Sequence, residues 1–275
     1  MKSILILNDI SGLGNCSLTA NLPIFTKMGY YCMPVPTAVF SCQTGFDGFS
    51  CLPNDMTEAF ARSVASRRTP DAVYVGFCNN SATLRGVIGV LNDQSCTAAF
   101  KLVDPVMGDN GKLYPVFDNE YVAEMKNVVG FADCITPNVT EACLLTDVDY
   151  AELAAHIGRE SFADDCARAF ADFLDKVGCC SAVITGVDCG SRIANIVLEQ
   201  GKQPVVLTNG RVQGVFSGTG DVFSSVVTGA LLADLPLDIA TYKAAEFVKT
   251  ALWETQCDDR RFGVEFCRVI DRLTL

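Results

Sequence analysis

Short apolar runs alternate with amphipathic stretches through the first two-thirds of the chain, separated by polar or glycine-rich turns. Ser3–Leu7 reads as a buried strand. From about Cys16 to Lys27 the positions Leu18, Leu22, Phe25 and Met28 supply the core face of a helix, and Gly29 stops it. Tyr31–Val35 and Thr37–Ser41 are strand-like but broken by Pro34 and Pro36, which predicts an edge or a bulge. A helix capped by Asn54 is predicted to about Ser66, followed by a strand at Ala72–Phe77 and a helix from Asn80 or Ser81 to about Leu91. Phe100–Val103 is the next strand. Asp118 then caps a helix to about Val128, and Ala132–Ile135 is a further strand. An amphipathic helix from about Phe162 to Lys176 precedes the strand Ser181–Thr185, which ends at Gly186. Ile193–Glu199 and Pro204–Thr208 read as a hairpin around Gln200-Gly201. Three helices close the chain: Val222–Ala233, Leu237–Thr255 and Arg261–Leu273.

Strands alternating with helices predict an α/β fold: a mostly parallel central sheet with helices on both faces, formed by residues 1–275 as one domain. In such a sheet ligands bind beyond the carboxyl ends of the strands. Ser11, Thr44, Asp104, Asp109, Thr136, Asn138, Glu141, Thr185 and Asp221 all fall at or just after a predicted strand end. That convergence says more than any one of them.

Composition narrows the partners. The 275 residues are 49% hydrophobic, enough for a substantial core, and the net charge of -11 argues against nucleic acid. The run Ile4–Leu7 is too short for a signal peptide, and no stretch reaches the ~18 apolar residues of a membrane span. A cytoplasmic protein is expected. The 14 cysteines are scattered, without C-x-x-C spacing, and read as reduced core residues. The single histidine, His156, lies in the helix-like run Tyr150–Arg159 and reads as a surface group.

The candidate chemistry centres on residues 214–221, where a strand crosses a glycine-rich turn into a helix. Gly218 and Gly220 let the backbone approach a ligand, and the free N–H groups of the helix start form an anion site. Asp221 sets a carboxylate beside it. A plain helix cap is the simpler reading of the same residues. Asp104 and Asp109, five residues apart on a proline/glycine loop, invite a hard cation. Asn138 and Glu141 have the spacing of a capping box and can also face a site, with Thr136 beside them. Anion cradle, acidic set and one base together point to phosphoryl transfer, in which a protein mainly positions groups and neutralises charge. The P-loop G-x-x-x-x-G-K-[ST] and the protein-kinase H-R-D and D-F-G signatures are absent. The helix start is expected to keep Asp221 ionised and weakly basic.

Asn8–Asn15, Phe40–Gly45, Asp104–Asp109, Thr136–Glu141 and Gly218–Asp221, in this order through nearly the whole chain, resemble the vitamin kinase branch of the ribokinase superfamily. The chain is most similar to the pyridoxal kinase family, including bacterial forms described as pyridoxamine kinases. The resemblance implies a ribokinase-like three-layer sandwich. It implies ATP-dependent phosphorylation of the 5'-hydroxymethyl group of pyridoxal, pyridoxine or pyridoxamine. It makes Asp221 the catalytic base beside the Gly218, Thr219 and Gly220 anion hole. Ser11, Thr44, Gly45 and Phe77 fall on the vitamer side. Asp104, Thr136, Asn138, Thr185, Thr219 and Gly220 fall on the nucleotide side, and Asp104, Asp109 and Glu141 on Mg²⁺. A monovalent cation such as K⁺, a homodimer, adenine near the C-terminal helices and a closing loop at Asp109–Pro115 are also implied. Two positions depart from the family pattern: Gly76-Phe77, where G-Y is frequent, and Gly186, where serine is common. A hydroxymethylpyrimidine kinase shares the fold and the G-T-G-D turn, but Ser11-Gly12-Leu13-Gly14-Asn15 fits the pyridoxal branch better. A sugar or nucleoside kinase would carry an inserted β-lid after the first strand. A non-catalytic vitamin carrier would not need Asp221.

Overall fold

A computed structural model describes residues 1–52, 56–214 and 216–274. The chain begins with β1 (Ser3–Ser11), α1 (Ser17–Lys27), β2 (Tyr31–Phe40), β3 (Cys51–Leu52), α2 (Thr57–Ala65), β4 (Ala72–Val75) and α3 (Ser81–Leu91). It continues with β5 (Phe100–Val103), a small hairpin of β6 (Gly108–Asp109) and β7 (Lys112–Leu113), α4 (Asn119–Val129), β8 (Cys134–Ile135) and α5 (Val139–Thr146). Then follow α6 (Tyr150–Ala154), α7 (Phe162–Ala169), α8 (Phe173–Val177), β9 (Ser181–Asp188), β10 (Arg192–Glu199), β11 (Val205–Gly210), α9 (Thr219–Leu232) and α10 (Leu237–Glu254).

Nine strands form one sheet in the order β11-β10-β9-β8-β5-β4-β1-β2-β3. The run from β9 to β2 is parallel, and antiparallel strands flank it at both ends. Residue alternation along the strands divides the core into two. Leu5, Leu7, Val73, Val75 and Val103 pack against α2, α3, α4, α5, α7 and α8 on one face. Ile4, Ile6, Tyr74, Leu102 and Val183 pack against α1, α9 and α10 on the other. A strand buried on both faces must be apolar throughout, which is why Ser3–Leu7 is a continuous run. Each fully buried Leu, Ile or Val stabilises this arrangement by roughly 1.5–3 kcal/mol.

The structure corrects several sequence expectations. Tyr31–Val35 and Thr37–Ser41 are one strand, β2, whose prolines sit opposite Ile6 and Asn8. The expected bulge is there, as a register shift at Asn8/Ile10. The stretch Phe162–Lys176 is two helices, because the chain turns at Phe170 and restarts at Asp172. Arg261–Leu273 is not a helix but two 3-10 turns, Arg260–Phe262 and Phe266–Arg272. Gly263 separates them with φ +83, packed against the carbonyl oxygens of Asn15 and Ser217. Asn80 and Asp118 do cap their helices, accepting from the backbone N–H of Thr83 and Tyr121. The expected cap at Asn54 and the residue Val215 lie outside the described residues.

Candidate active site

β1, β4, β5, β8 and β9 deliver their carboxyl ends to one edge of the sheet, and α9 starts there. A cavity of about 660 Å³ opens at this edge. Asp104, Asp109, Thr136, Asn138, Glu141 and Thr185 line it, as do Gly218, Thr219, Gly220 and Asp221. Ten of the expected site residues thus share one wall system. Ser11, Thr44, Gly45 and Phe77 lie outside that lining. Thr44 and Gly45 are exposed, with Gly45 tied through Gln43 to the carbonyl of Arg261. Ser11 and Phe77 reach Asp221 indirectly. The Ser11 hydroxyl donates to Asp9 at 3.1 Å, and the Phe77 backbone N–H donates to Asn8 Oδ1 at 2.8 Å. The Phe77 ring lies 5.9 Å from that of Phe40 and 5.5 Å from that of Phe117, an aromatic wall on this side.

Asp221 occupies the first turn of α9. Gly218 precedes it in the left-handed region at φ +77, and a Cβ there would run into the Asn15 carbonyl oxygen. Only glycine lets the turn close on the α1 entry in this way. Asn8 Nδ2 donates to Asp221 Oδ1 at 3.1 Å and to Asn21 Oδ1 at 2.8 Å. Asn21 Nδ2 donates to Ser225 Oγ at 2.8 Å, and Ser225 Oγ donates to the Asp221 carbonyl at 2.6 Å. This closed ring fixes both the backbone and the carboxylate of Asp221. Gly76 makes room for it, since a Cβ there would meet the Asn8 side chain at 2.6 Å.

Burial raises the pKa of Asp221, while a hydrogen bond from the Ser17 backbone N–H and the Asn8 amide oppose the rise. Desolvation thus makes Asp221 a stronger base than a helix start alone would. Ser17, at the entry of α1, stands at φ +52, a left-handed conformation costing on the order of 1–3 kcal/mol in a non-glycine residue.

Asp104 follows β5 and accepts from Ser224 Oγ at 3.0 Å, and Ser224 Oγ meets Thr136 Oγ1 at 3.0 Å. Burial, then the charge of Asp221, push its carboxyl up to about 7, against these hydroxyl donors. Glu141 is raised well above the usual carboxyl range, by burial and then by Asp104. Its oxygens accept from the backbone N–H of Met107 at 3.1 Å and of Asn138 at 2.8 Å, and Asn138 Oδ1 accepts from the Glu141 N–H at 2.9 Å. The capping box is therefore real and buried. Asn138 Nδ2 donates to the Gly108 carbonyl at 2.9 Å, which anchors the β6–β7 hairpin at the cavity rim.

Asp104, Asp109 and Glu141 share the cavity lining without forming a ready-made metal cage. Among the described residues no group of three His, Cys, Asp or Glu side chains converges as metal ligands. Backbone N–H groups already occupy both oxygens of Glu141. The buried acids still fit a divalent cation electrostatically, provided phosphate and water supply most of its ligands, as Mg²⁺ prefers.

Sequence reasoning held Asn8 and Asp9 only within the stretch Asn8–Asn15 and gave them and Ser17 no role; β1 in fact runs on through Asn8 and Asp9 to Ser11. Sequence reasoning also missed Lys249, Arg260 and Arg261, which line the cavity and bring positive charge to an acidic protein. The Arg260 guanidinium stacks on Phe216 at 4.3 Å.

Asp9 is buried, and its carboxyl is pushed up to about 7, chiefly by burial, with hydrogen bonds from Ser17 and Ser11 opposing and the Asp221 charge adding. Between its ordinary value of 3.8 and about 7 the folded state keeps a proton that the unfolded state releases. Stability therefore falls as pH rises through that window. Asp9→Asn is expected to raise the melting temperature by on the order of 5 °C at pH 8 and to leave it unchanged at pH 3.5. Thermal unfolding at the two pH values checks this.

Residues 13–263 match the family model described as phosphomethylpyrimidine kinase. The chain belongs to that family. This phosphomethylpyrimidine kinase family member is similar to a provisionally named phosphomethylpyrimidine kinase from Bacteroides thetaiotaomicron. The two are 31% identical over 98% of this chain and 93% of that one, with a TM-score of 0.90. An orthorhombic form of that protein contains pyridoxal. Pyridoxal kinase from Lactobacillus plantarum is 28% identical, over 99% and 96% of the two chains, with a TM-score of 0.87. The family member thus has the ribokinase-like α/β fold of the pyridoxal kinases. Among curated proteins it is 29% identical to a provisionally named pyridoxal kinase of Schizosaccharomyces pombe, over 70% of this chain and 57% of that one. It spans between 54% and 64% of the length of this and two further such relatives. No helix among the described residues is long and apolar enough to cross a membrane, and none of the fourteen cysteines is disulfide-bonded.

Proposed function

We propose that this protein transfers the γ-phosphoryl group of ATP to the 5'-hydroxymethyl group of a B6 vitamer: pyridoxal, pyridoxine or pyridoxamine. The observation that carries the reading is the convergence of Asp221, the Gly218–Gly220 turn and the buried acids Asp104 and Glu141 on one cavity. The pyridoxal in the 31%-identical Bacteroides relative supports the substrate class.

In this reading residues 1–275 act as one domain. Asp221 accepts the proton of the vitamer's hydroxymethyl group as it attacks, and its raised basicity suits that task. The N–H groups at the start of α9, with Thr219 and Gly220, hold the transferring phosphoryl group. Thr136, Asn138 and Thr185 flank the nucleotide phosphates, and Lys249, Arg260 and Arg261 offer further cationic contacts. Asp104, Asp109 and Glu141 would hold Mg²⁺, largely through water and phosphate, and the ion would supply charge neutralisation for the transferring phosphates. A K⁺ ion nearby would add to that neutralisation. The aromatic wall of Phe40, Phe77 and Phe117 suits a flat heteroaromatic ring, with Ser11 and Thr44-Gly45 at its polar rim. Phe77 lacks the hydroxyl of the more frequent tyrosine, so it contributes packing alone. The loop Asp109–Pro115 closes over the loaded site. The enzyme works as a cytoplasmic homodimer.

A second reading, phosphorylation of hydroxymethylpyrimidine, is favoured by the family description that matches residues 13–263. ATP consumption measured against the three vitamers and hydroxymethylpyrimidine separates the two. Turnover on at least one vitamer, at a kcat/KM at least tenfold above that on the pyrimidine, is expected. Turnover confined to the pyrimidine would replace the first reading by the second.

A further inference from the structure

Tyr74 belongs to β4 and is fully buried on the α1/α9 face of the sheet. It pairs with Ile6 of β1 and Leu102 of β5, so it stands between the strand that carries Asn8 and the strand that leads to Asp104. Its ring packs edge-on against Phe25 at 5.9 Å. Its hydroxyl is one of three buried side-chain polar atoms, among the described residues, without a hydrogen-bond partner. The hydroxyl faces Asn21 and Ser224 without meeting either at hydrogen-bonding geometry, and it senses the charges of both Asp104 and Asp221. Burial holds the phenol neutral, so it remains a donor.

Asn21 and Ser224 belong to two separate polar networks. Asn21 is part of the ring under Asp221, through Asn8 and Ser225. Ser224 holds Asp104 and touches Thr136. The two networks meet at the Tyr74 hydroxyl. A buried donor left unpaired costs free energy, and a fold built for stability alone would carry phenylalanine here.

We propose that the Tyr74 hydroxyl is a positioning group, tying the network beneath Asp221 to the network beneath Asp104 and so setting the angle at which the base faces the phosphate. Tyr74 is too deep to touch either substrate. It acts when the loaded site draws the two acids into register and the hydroxyl closes on both Asn21 and Ser224, accepting from Asn21 Nδ2 and donating to Ser224 Oγ. This inference rests on the kinase reading above.

Tyr74→Phe in the full-length protein tests it, because the ring and its packing stay. The expected result is a fall in kcat of about tenfold, the worth of one buried hydrogen bond. KM for ATP and for the vitamer should be unchanged, and the melting temperature equal to or above that of the wild type. That split is what a merely structural tyrosine would not give. Unchanged kcat would overturn the inference, and so would a loss of kcat accompanied by a lowered melting temperature and raised KM values. Asp221→Asn, assayed in parallel, separates the two levels. If it keeps full turnover, Asp221 is not the base and this inference falls with it; no vitamer turnover in either Asp221→Asn or the wild type would sink the kinase reading itself. If it is inactive while Tyr74→Phe is fully active, only this inference fails.

Discussion

Asp221→Asn is expected to lower kcat for vitamer phosphorylation by about 10³-fold, within the 10²–10⁴ range of a lost general base. Vitamer binding should survive with a dissociation constant within about threefold of the wild type. The reasoning rests on how thoroughly the carboxylate is held. Asn8 donates to it, and the Asn21–Ser225 link fixes its backbone carbonyl. An amide in this place keeps the shape but cannot take up a proton. It also removes the charge that raises the pKa of both Asp9 and Asp104, so the folded state should not be weakened. Steady-state turnover combined with calorimetric titration of the vitamer gives both numbers. A carrier protein would show no turnover in either form and equal binding in both.

Gly218→Ala is expected to cost at least about 10²-fold in turnover, a loss typical of a misplacement near 1 Å. A methyl group would meet the Asn15 carbonyl, and the φ of +77 is itself unfavourable for alanine. The contact is between backbone segments, so no flexible side chain can move to relieve it. The start of α9 must shift, carrying the Gly218–Gly220 N–H groups and Asp221 with it. ATP affinity should weaken together with kcat, unlike in Asp221→Asn. Nucleotide titration and turnover on the same preparation distinguish the two patterns. Gly186→Ala at φ +68 is the contrast. It lines the same cavity but has open space around its Cβ position, so it bears backbone strain without a collision.

Much of this was legible in the sequence because the parallel sheet enforces a simple grammar. Strands buried on both faces read as apolar runs, and each is followed by the polar residues that its carboxyl end presents. Asp104, Thr136, Asn138, Glu141, Thr185 and Asp221 could all be placed in this way, and they share one cavity. Glu141 was legible twice, as a capping residue and as a site acid, and it is both a buried cap and part of the cavity lining.

What escaped the sequence depends on long-range contacts. Asn8 and Asp9 look like a turn after Leu7, but β1 continues through a register shift against β2, and both side chains turn inward. Ser17 takes a left-handed conformation beside Asp221, 204 positions away along the chain, which no local propensity encodes. The segment Arg261–Leu273 has enough apolar positions for a helix. Gly263 must instead lie against Asn15 and Ser217, and that contact breaks the segment into 3-10 turns. The basic residues Lys249, Arg260 and Arg261 come from the end of the chain, where no motif pointed to the cavity they line.

A crystal structure with a non-hydrolysable ATP analogue, Mg²⁺ and pyridoxal bound together tests the account most directly. It should place the vitamer's 5'-hydroxyl within about 2.6–3.2 Å of the Asp221 carboxylate, in line with a γ-phosphate held by the N–H groups of Gly218–Gly220. A vitamer bound with that hydroxyl turned away from Asp221, or a triphosphate lying outside the Gly218–Gly220 turn, would contradict it.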